Sequence, residues 1–542
     1  MEHSRFHRSR LSRRGVWRVR MAAACGGLIL LGAACRQAAP GPPAPKSVPL
    51  RGGICRLVTP VVATLDPLYV TDVYEATIIA CLFNGLVRYD DALNVLPDLA
   101  EEWRVSSDGR TYTFTLRSGV RFHDGSPLEI DDVLHTFRRC LTAGGQPASS
   151  GAILERLVDQ EYIDGRPTFR ISARDARTLE IVLRHAYPEF LKILAMDQLR
   201  IVPRRYFPPD RKVEQPPFIG TGAFMLDVFQ TDRIELKRND HFHRSPPHLD
   251  RVRFTVTSEY SSRHNRRLFE AGQLDVMDAY SGTPNDGFMP QAQRLIQAQL
   301  TTSMLVLNCR RPPTDDPSFR KAVSLAFDRT EYLTHSHPTL KPTESFLPAR
   351  MFGFSPPSGR FAFDPSAAAM HLERSRHSGG ETPTLIYLDF QREPQFFNLL
   401  TDTARRLGFS LACREIPWAG FQEEIRRGDF NITIMAWTAD TPIAEQYLES
   451  LLHSDSQQNV AGYRDPVVDD LIDRLYRESN LHAKLRIIQS IETRLQETVP
   501  LIPLESYVMT YLLQPHVRGA RLNPFGICSL NLEEIWFDPA PR

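Results

Sequence analysis

The sequence predicts an α/β protein built as two or three lobes, and two observations predict it. At 542 residues the chain is longer than one ordinary hydrophobic core sustains. Along it, short segments with a two-residue apolar period interleave with longer segments of helical period, the pattern of alternating strands and helices. No unit repeats at the spacing of about 20–50 residues that marks a solenoid. Apolar residues make up 42% and charged residues 24%, the proportions of a soluble globular protein rather than a disordered chain or a many-span membrane protein. The formal net charge is +1. The basic excess of a duplex-binding domain is missing, and no nucleic-acid partner is expected.

The N-terminus stands apart. From Arg5 to Arg20 the chain is crowded with arginine, and Met21–Ala34 (MAAACGGLILLGAA) is small and apolar. A basic stretch before an apolar run shorter than the ~20 residues of a membrane span reads as an export signal. The run ends at Leu31-Gly32-Ala33-Ala34-Cys35, which resembles a bacterial lipobox. Residues 1–35 are therefore expected to be a signal peptide with Cys35 lipidated, ordinary secretory cleavage nearby being the alternative. Arg13-Arg14 partly resembles a twin-arginine signal. Residues 36–50 are proline-rich, which favours extended backbone and suits a tether between a lipid anchor and a domain.

The mature chain begins with Leu57-Val58 and the turn-prone Leu65-Asp66-Pro67. A helical pattern follows, with Val73, Thr77, Ala80 and Cys81 on one mainly apolar face. Thr111–Arg117 (TYTFTLR) alternates as a strand, Tyr112, Phe114 and Leu116 pointing one way. Ser126-Pro127-Leu128-Glu129 reads as a capping box opening a helix that buries Ile130, Val133, Leu134 and Phe137. Arg177–Leu183 is strand-like. Gly220 and Gly222 then permit a tight backbone crossing, and Ile234–Leu236 and Val252–Val256 alternate as strands. Asp316-Pro317 caps a helix carrying Phe319, Ala322, Val323, Ala326 and Phe327. A helix from Asp465-Pro466 buries Val468, Leu471, Ile472 and Leu475, and another from about His482 to Thr498 turns Ile488, Ile491 and Leu495 inward. Six cysteines remain after the signal, Cys55, Cys81, Cys140, Cys309, Cys413 and Cys528, with no CxxC pair. Neither a zinc nor a redox site is expected of them. Export permits a disulfide, but buried free thiols are the simpler reading.

Eight stretches carry a family resemblance. They are Thr64–Val70 (TLDPLYV), Leu82–Asp90 (LFNGLVRYD), Pro97–Val133, Gly220–Leu226 (GTGAFML), Leu268–Met277 (LFEAGQLDVM), Asp315–Arg329 (DDPSFRKAVSLAFDR), Met435–Pro442 (MAWTADTP) and Glu497–Leu504 (ETVPLIPL). In order and spacing they resemble the family-5 extracellular solute-binding proteins of ABC importers, the oligopeptide, dipeptide and nickel binders. The resemblance implies a bilobal periplasmic-binding-protein-like fold of type II, two lobes joined by a hinge, with an extra inserted subdomain. Lobe I would take residues 51–92, 216–300 and 512–542, the insert 93–215, and lobe II 301–511. Hinge crossings are expected near Gln299–Thr302 and Tyr507–Leu512.

It also implies a site. A peptide offers a main chain wanting hydrogen bonds and a terminal ammonium, and an added-strand mode meets the first while a cleft carboxylate meets the second. In peptide-binding members the carboxylate comes from a tryptophan–x–x–aspartate element, here Trp437-Thr438-Ala439-Asp440 after the strand-like Asn431–Met435. By similarity Asp440 would anchor the ammonium, the main chain of Ala436, Trp437 and Thr438 would pair with the ligand, and Trp437 would wall a side-chain pocket. Val73 would offer main-chain pairing from lobe I, and Asp278 and Tyr280 would line the cleft. A turn-capping Asp440 and a core Trp437 are the plain alternatives. Many members follow this element with a second acid and a proline, whereas here Thr441-Pro442-Ile443-Ala444-Glu445 follows, a departure that bears on ligand class.

No cofactor and no metal ligation are expected. His241 and His243 sit in the family's surface element, so a His-x-His metal site is not favoured. An enzyme is not expected either, since the chain lacks a Gly-x-Ser-x-Gly elbow, a Walker loop and a His-Glu-x-x-His motif. Acid pairs such as Asp131-Asp132 and Glu423-Glu424 read as solvated helix faces. The expected protein is an exported monomer, periplasmic or cell-surface and lipid-anchored, that passes a peptide-like ligand to ABC permease subunits. A nickel complex, an oligosaccharide or an opine is the alternative ligand, and a ligand-sensing regulator on the same fold is the alternative class.

Overall fold

The computed structural model describes residues 49–538 apart from 71, 143–148, 164–165, 259–261, 280–290, 337–341, 355–360, 378–380 and 389–393. Cys35, the export signal and Tyr280 lie outside the described residues.

Four strands, Ile54–Thr59, Arg251–Val256, Arg233–Arg238 and Phe224–Phe229, lie side by side in that order. The first pair is parallel with Leu57 opposite Phe254, and the rest are antiparallel. Alternation turns Cys55, Leu57, Val252, Phe254, Ile234 and Leu236 into one core. Helix Val73–Leu82 packs into the same core, started by Asp72, whose carboxylate accepts from the Tyr74 and Glu75 N–H groups at 2.8 and 2.9 Å. A single apolar face is too narrow a description of this helix. Glu75 to Ile79, Cys81 and Leu82 are all buried, because the chain also crosses behind its last turn. There a Cβ on Gly220 would stand 1.9 Å from the Leu82 carbonyl oxygen, and one on Gly222 2.2 Å from that of Cys81. The two glycines are a steric requirement of the crossing.

A second four-stranded sheet, Ala100–Val105, Thr111–Leu116, Thr178–Val182 and Ile171–Ala173 in that order, belongs to the middle of the chain. Tyr112, Phe114 and Leu116 are buried, as their alternation predicts, and helix Ile130–Thr142 covers them with Val133 and Phe137. That helix starts later than the sequence suggested. Ser126 closes a turn, its carbonyl accepting from Phe122 N–H at 2.8 Å and its hydroxyl bonding Asp124 at 2.6 Å. The reciprocal cap is made instead by Asp132, which accepts from Glu129 N–H at 3.1 Å. Asp132 is thereby buried and also bonded to Arg204, so the reading of Asp131-Asp132 as a solvated pair fails at its second member.

The largest sheet has six strands in the order Val276–Ala279, Leu501–Leu513, Gln293–Leu307, Ile432–Thr438, Thr384–Leu388, Ala412–Ile416. Its two long members run antiparallel from Gln293 opposite Leu513 to Val306 opposite Leu501. Their ladder is irregular between Ala298 and Thr302, where one hinge crossing was expected. The freed groups find partners elsewhere: Leu300 N–H bonds the Pro524 carbonyl at 2.7 Å, and its carbonyl accepts from Ala439 N–H at 2.8 Å. Helices Pro317–Ala326, Pro466–Arg477 and Leu481–Thr498, capped by Asp316, Asp465 and Asn480, share one apolar cluster with this sheet. The apolar cluster is continuous from Phe114 and Phe137 through Leu305 and Ile434 to Ile491.

Cys55, Cys81 and Cys140 are buried free thiols, but Cys413 is exposed, against the expectation of burial. Among the described residues no helix is long and apolar enough to cross a membrane, and no group of three or more metal-ligating side chains occurs.

Candidate functional site

Strand Ile432–Thr438 is buried over its first three residues and opens at its end: Met435, Trp437 and Thr438 are half-buried and Ala436 is exposed. On one edge it pairs with Gln293–Leu307 throughout, from Leu307 opposite Ile432 to Thr301 opposite Thr438. On the other edge Thr384–Leu388 pairs only with Ile432 and Thr433. Past Thr433 no strand among the described residues pairs with that edge, and Ile434 to Thr438 line a cavity of about 620 Å³. Asp440 follows the strand, half-buried on the same cavity.

The helix Ala444–Leu452 holds this end in place. Gln446 is buried and donates from Nε2 to Asp440 Oδ2 at 3.3 Å and to Ser450 Oγ at 3.1 Å, while its carbonyl accepts from Thr441 at 3.2 Å. The Tyr447 hydroxyl donates to the Trp437 carbonyl at 3.3 Å. Burial pushes the Tyr447 phenol well up, so it stays a donor. Neither Gln446 nor Tyr447 was singled out from sequence.

The cavity's other walls come from distant parts of the chain. Val73 lines it as the first residue of its helix, with its carbonyl accepting from the Thr77 hydroxyl at 2.7 Å. What its main chain can offer a ligand is therefore its N–H. Beside it, burial raises the Asp72 carboxyl, against the lowering effect of the two helix N–H groups it caps. Asp278, on the sheet edge opposite Tyr511, lines the cavity as well. Gln299 and Tyr511, joined by a 2.8 Å bond from Gln299 Nε2, and Tyr507 form the crossing strands' part of the wall. Of the seven ligand-site residues expected from sequence, Val73, Asp278, Ala436, Trp437, Thr438 and Asp440 come together on this one cavity, and Tyr280 lies outside the described residues.

One wall is strongly charged. Arg88, Asp98, Arg244 and Glu533 line it, with His243 behind. Asp98 accepts from His243 Nε2 at 3.0 Å and Asn84 at 2.9 Å, and Arg244 pairs with Glu533 at 2.9 Å. Burial alone would raise Asp98, but the His243 bond and the Arg244 charge hold it below the usual carboxylate range. Burial raises Glu533, while Arg244 works against it. His243 thus has a partner of its own, a carboxylate 145 residues away in sequence.

Residues 94–459 match the family described as bacterial extracellular solute-binding proteins, family 5 Middle. Among curated relatives, the "Probable deoxycholate-binding periplasmic protein YgiS" of Escherichia coli (strain K12) is 25% identical over 479 residues, covering 85% of this chain and 89% of the relative. The "Periplasmic murein peptide-binding protein MppA" of the same organism is 25% identical over 482 residues, covering 85% and 89%. Among solved structures, the periplasmic binding protein DppA of Helicobacter pylori, in complex with the peptide STSA, superposes with a TM-score of 0.80 at 20% identity, covering 90% of this chain and 99% of that one.

Proposed function

The chain belongs to the bacterial extracellular solute-binding proteins, family 5, and from that premise we propose that it captures an oligopeptide-like ligand in the Asp440 cavity and delivers it to an ABC importer. The observation that carries this reading is the edge from Ile434 to Thr438, which no described strand pairs on the side of Thr384–Leu388, lining the same cavity as Asp440. An extended ligand adds a strand there through the main chain of Ala436 to Thr438, which gives affinity with little regard to side-chain identity. Asp440, held by Gln446, takes the ligand's terminal ammonium. Trp437 walls a side-chain pocket, the Val73 N–H reaches the ligand from its helix, and Asp278 adds to the lining.

In this reading lobe I is residues 51–92, 216–300 and 512–542, the insert 93–215 and lobe II 301–511. The irregular ladder at Ala298–Thr302 supports a hinge at that crossing. Closure removes water, so the Asp440–ammonium pair strengthens as the cleft shuts. The protein acts as a monomer without cofactor and performs no catalysis. Cys35 carries the lipid that keeps it near the permease. A second reading, a non-peptide solute, is favoured by the relative named for deoxycholate.

Calorimetry separates the two. Free peptides bind, N-acetylation of the same peptides weakens binding by about thirtyfold or more, and Asp440→Asn abolishes that difference without lowering the melting temperature. Equal affinity for free and acetylated peptides removes Asp440 from the ammonium role, and binding of deoxycholate with no binding of peptides establishes the second reading.

A further inference from the structure

Four arginines line the cavity: Arg88, Arg200, Arg244 and Arg521. Three are engaged. Arg200 pairs with Asp197 at 2.6 Å and donates to the Phe83 carbonyl at 2.7 Å. Arg244 pairs with Glu533 at 2.9 Å, and Arg521 with Asp91 at 3.2 Å and with Glu534. Arg88, on the strand Val87–Tyr89, is different. Among the described residues no hydrogen bond or ion pair reaches its guanidinium, and its Nε is sealed from solvent without an acceptor.

Its surroundings explain why it stays charged and why it stays unsatisfied. Asp98, Glu533 and Glu534 stand close enough for their fields to favour the cation. Each already has its hydrogen-bond donors: Asn84 and His243 for Asp98, Arg244 for Glu533, Arg521 and Asn531 for Glu534. Burial, and then the like charge of Arg244, work against the Arg88 cation. A guanidinium carries five donors in a planar fork, and leaving them unmet in a partly buried site is costly. A carboxylate is the group that meets them two at a time.

Ile434, Met435, Ala436, Trp437 and Thr438 are what the binding strand gives the cavity, and none is cationic. A ligand whose ammonium sits at Asp440 must find a partner for its carboxylate elsewhere. We propose that Arg88 receives a carboxylate of the bound ligand, so that the cavity selects ligands bearing both an ammonium and a carboxylate. This inference rests on the peptide reading above.

The test is calorimetry on the mature protein and on Arg88→Gln, with peptides of graded length from dipeptides upward, each as free acid and as C-terminal amide. Peptides carrying Glu or Gln form a further arm. Amidation weakens binding to the wild type by about tenfold or more, and Arg88→Gln weakens the acid but not the amide, closing the gap between them. If the loss follows Glu to Gln instead of amidation, and Arg88→Gln closes that gap, the carboxylate received is a side chain's. Equal affinity of acid and amide in both series, or an equal loss of all forms in Arg88→Gln, overturns the inference and leaves the peptide reading standing. If no peptide binds the wild type in any form, the peptide reading fails and this inference with it. Should Arg88→Gln fold poorly, Arg88→Lys takes its place: it keeps the charge but loses the planar fork and should narrow the gap between acid and amide, and an unchanged gap overturns the inference.

Discussion

Acidification should weaken this protein through one histidine. The His123 ring sits between Gly220 and Gly222: Nδ1 accepts from Gly220 N–H at 3.2 Å, and Nε2 faces the Gly222 carbonyl at 3.2 Å. With Nδ1 accepting, Nε2 must carry the proton, so the pocket is built for the neutral ring. Burial lowers its pKa from 6.5 to about 4, and the hydrogen bond to Gly222 only partly offsets this. The unfolded chain therefore takes up this proton before the folded chain does. The sign follows: the contribution is complete above the unfolded value of 6.5 and is lost as pH falls from 6.5 towards the folded value of about 4. Linkage over that interval gives a loss of about 2 kcal/mol by about pH 5 and up to about 3 kcal/mol near pH 4. Urea unfolding of wild type and His123→Asn at about pH 7.5 and about pH 5 isolates it, because other titrating groups cancel in the difference. The wild type should lose about 2 kcal/mol more than the variant between the two conditions. A difference below about 0.5 kcal/mol would show that the ring accepts its second proton in place, and the reasoning would be wrong.

Two substitutions test the frame that holds the cavity. Gly222→Ala puts a Cβ 2.2 Å from a backbone oxygen and should cost about 1–3 kcal/mol or more. Gly420→Ala, in a helix with its nearest neighbour at 3.9 Å, should be neutral or stabilise by up to about 1 kcal/mol. Equal melting temperatures for the two variants would refute the steric account of the crossing. Arg139 forms a fully buried bidentate pair with Asp66 at 3.1 and 2.8 Å, so Arg139→Met should destabilise by about 3–5 kcal/mol in urea titration. Pairing it with Asp66→Asn should restore much of the loss, and no restoration would locate the cost in lost packing.

What was legible in the sequence is what local chemistry dictates. The alternation of Thr111–Leu116 and the caps Asp316 and Asp465 follow from two or three adjacent residues, and the structure repeats them. The Gly220–Gly222 crossing was legible as a possibility, while its necessity depends on a helix end about 140 residues earlier. The misreadings have the same origin. Ser126 had every local mark of a cap, but a hairpin return claimed its carbonyl and a turn claimed its hydroxyl. Asp132 looked solvated because Arg204 is 72 residues away. Asp440 and Trp437 were visible through a four-residue element. The residues that support the cavity wall, such as Gln299 on Tyr511 across 212 positions, carry no local signal. Arg88 had one that was not used: it is the only charge in the otherwise uncharged run Leu82–Tyr89.

The departure after Asp440 can now be located. Thr441 is buried and bonds Gln446, and Glu445 is buried where Lys484 Nζ at 2.5 Å and the Tyr187 hydroxyl at 2.9 Å both reach it. Neither residue lines the cavity. The altered stretch therefore bears on how Asp440 is held rather than on what lines the cavity. The helix it begins faces two ways. Gln446 and Tyr447 fix the carboxylate and strand end of the site, while Glu445 meets Tyr187 and Glu449 meets Arg156, both from the segment 93–215. The nine residues of Ala444–Leu452 thus join Asp440 and the strand end to the segment 93–215 by side chains that a sequence read locally assigns to neither. A second acid beside Asp440, as in many members of the family, would put a like charge next to its carboxylate. Here Thr441 stands before Pro442 and the next acid, Glu445, is buried against Lys484, so Asp440 is the carboxylate that this strand end presents to the cavity.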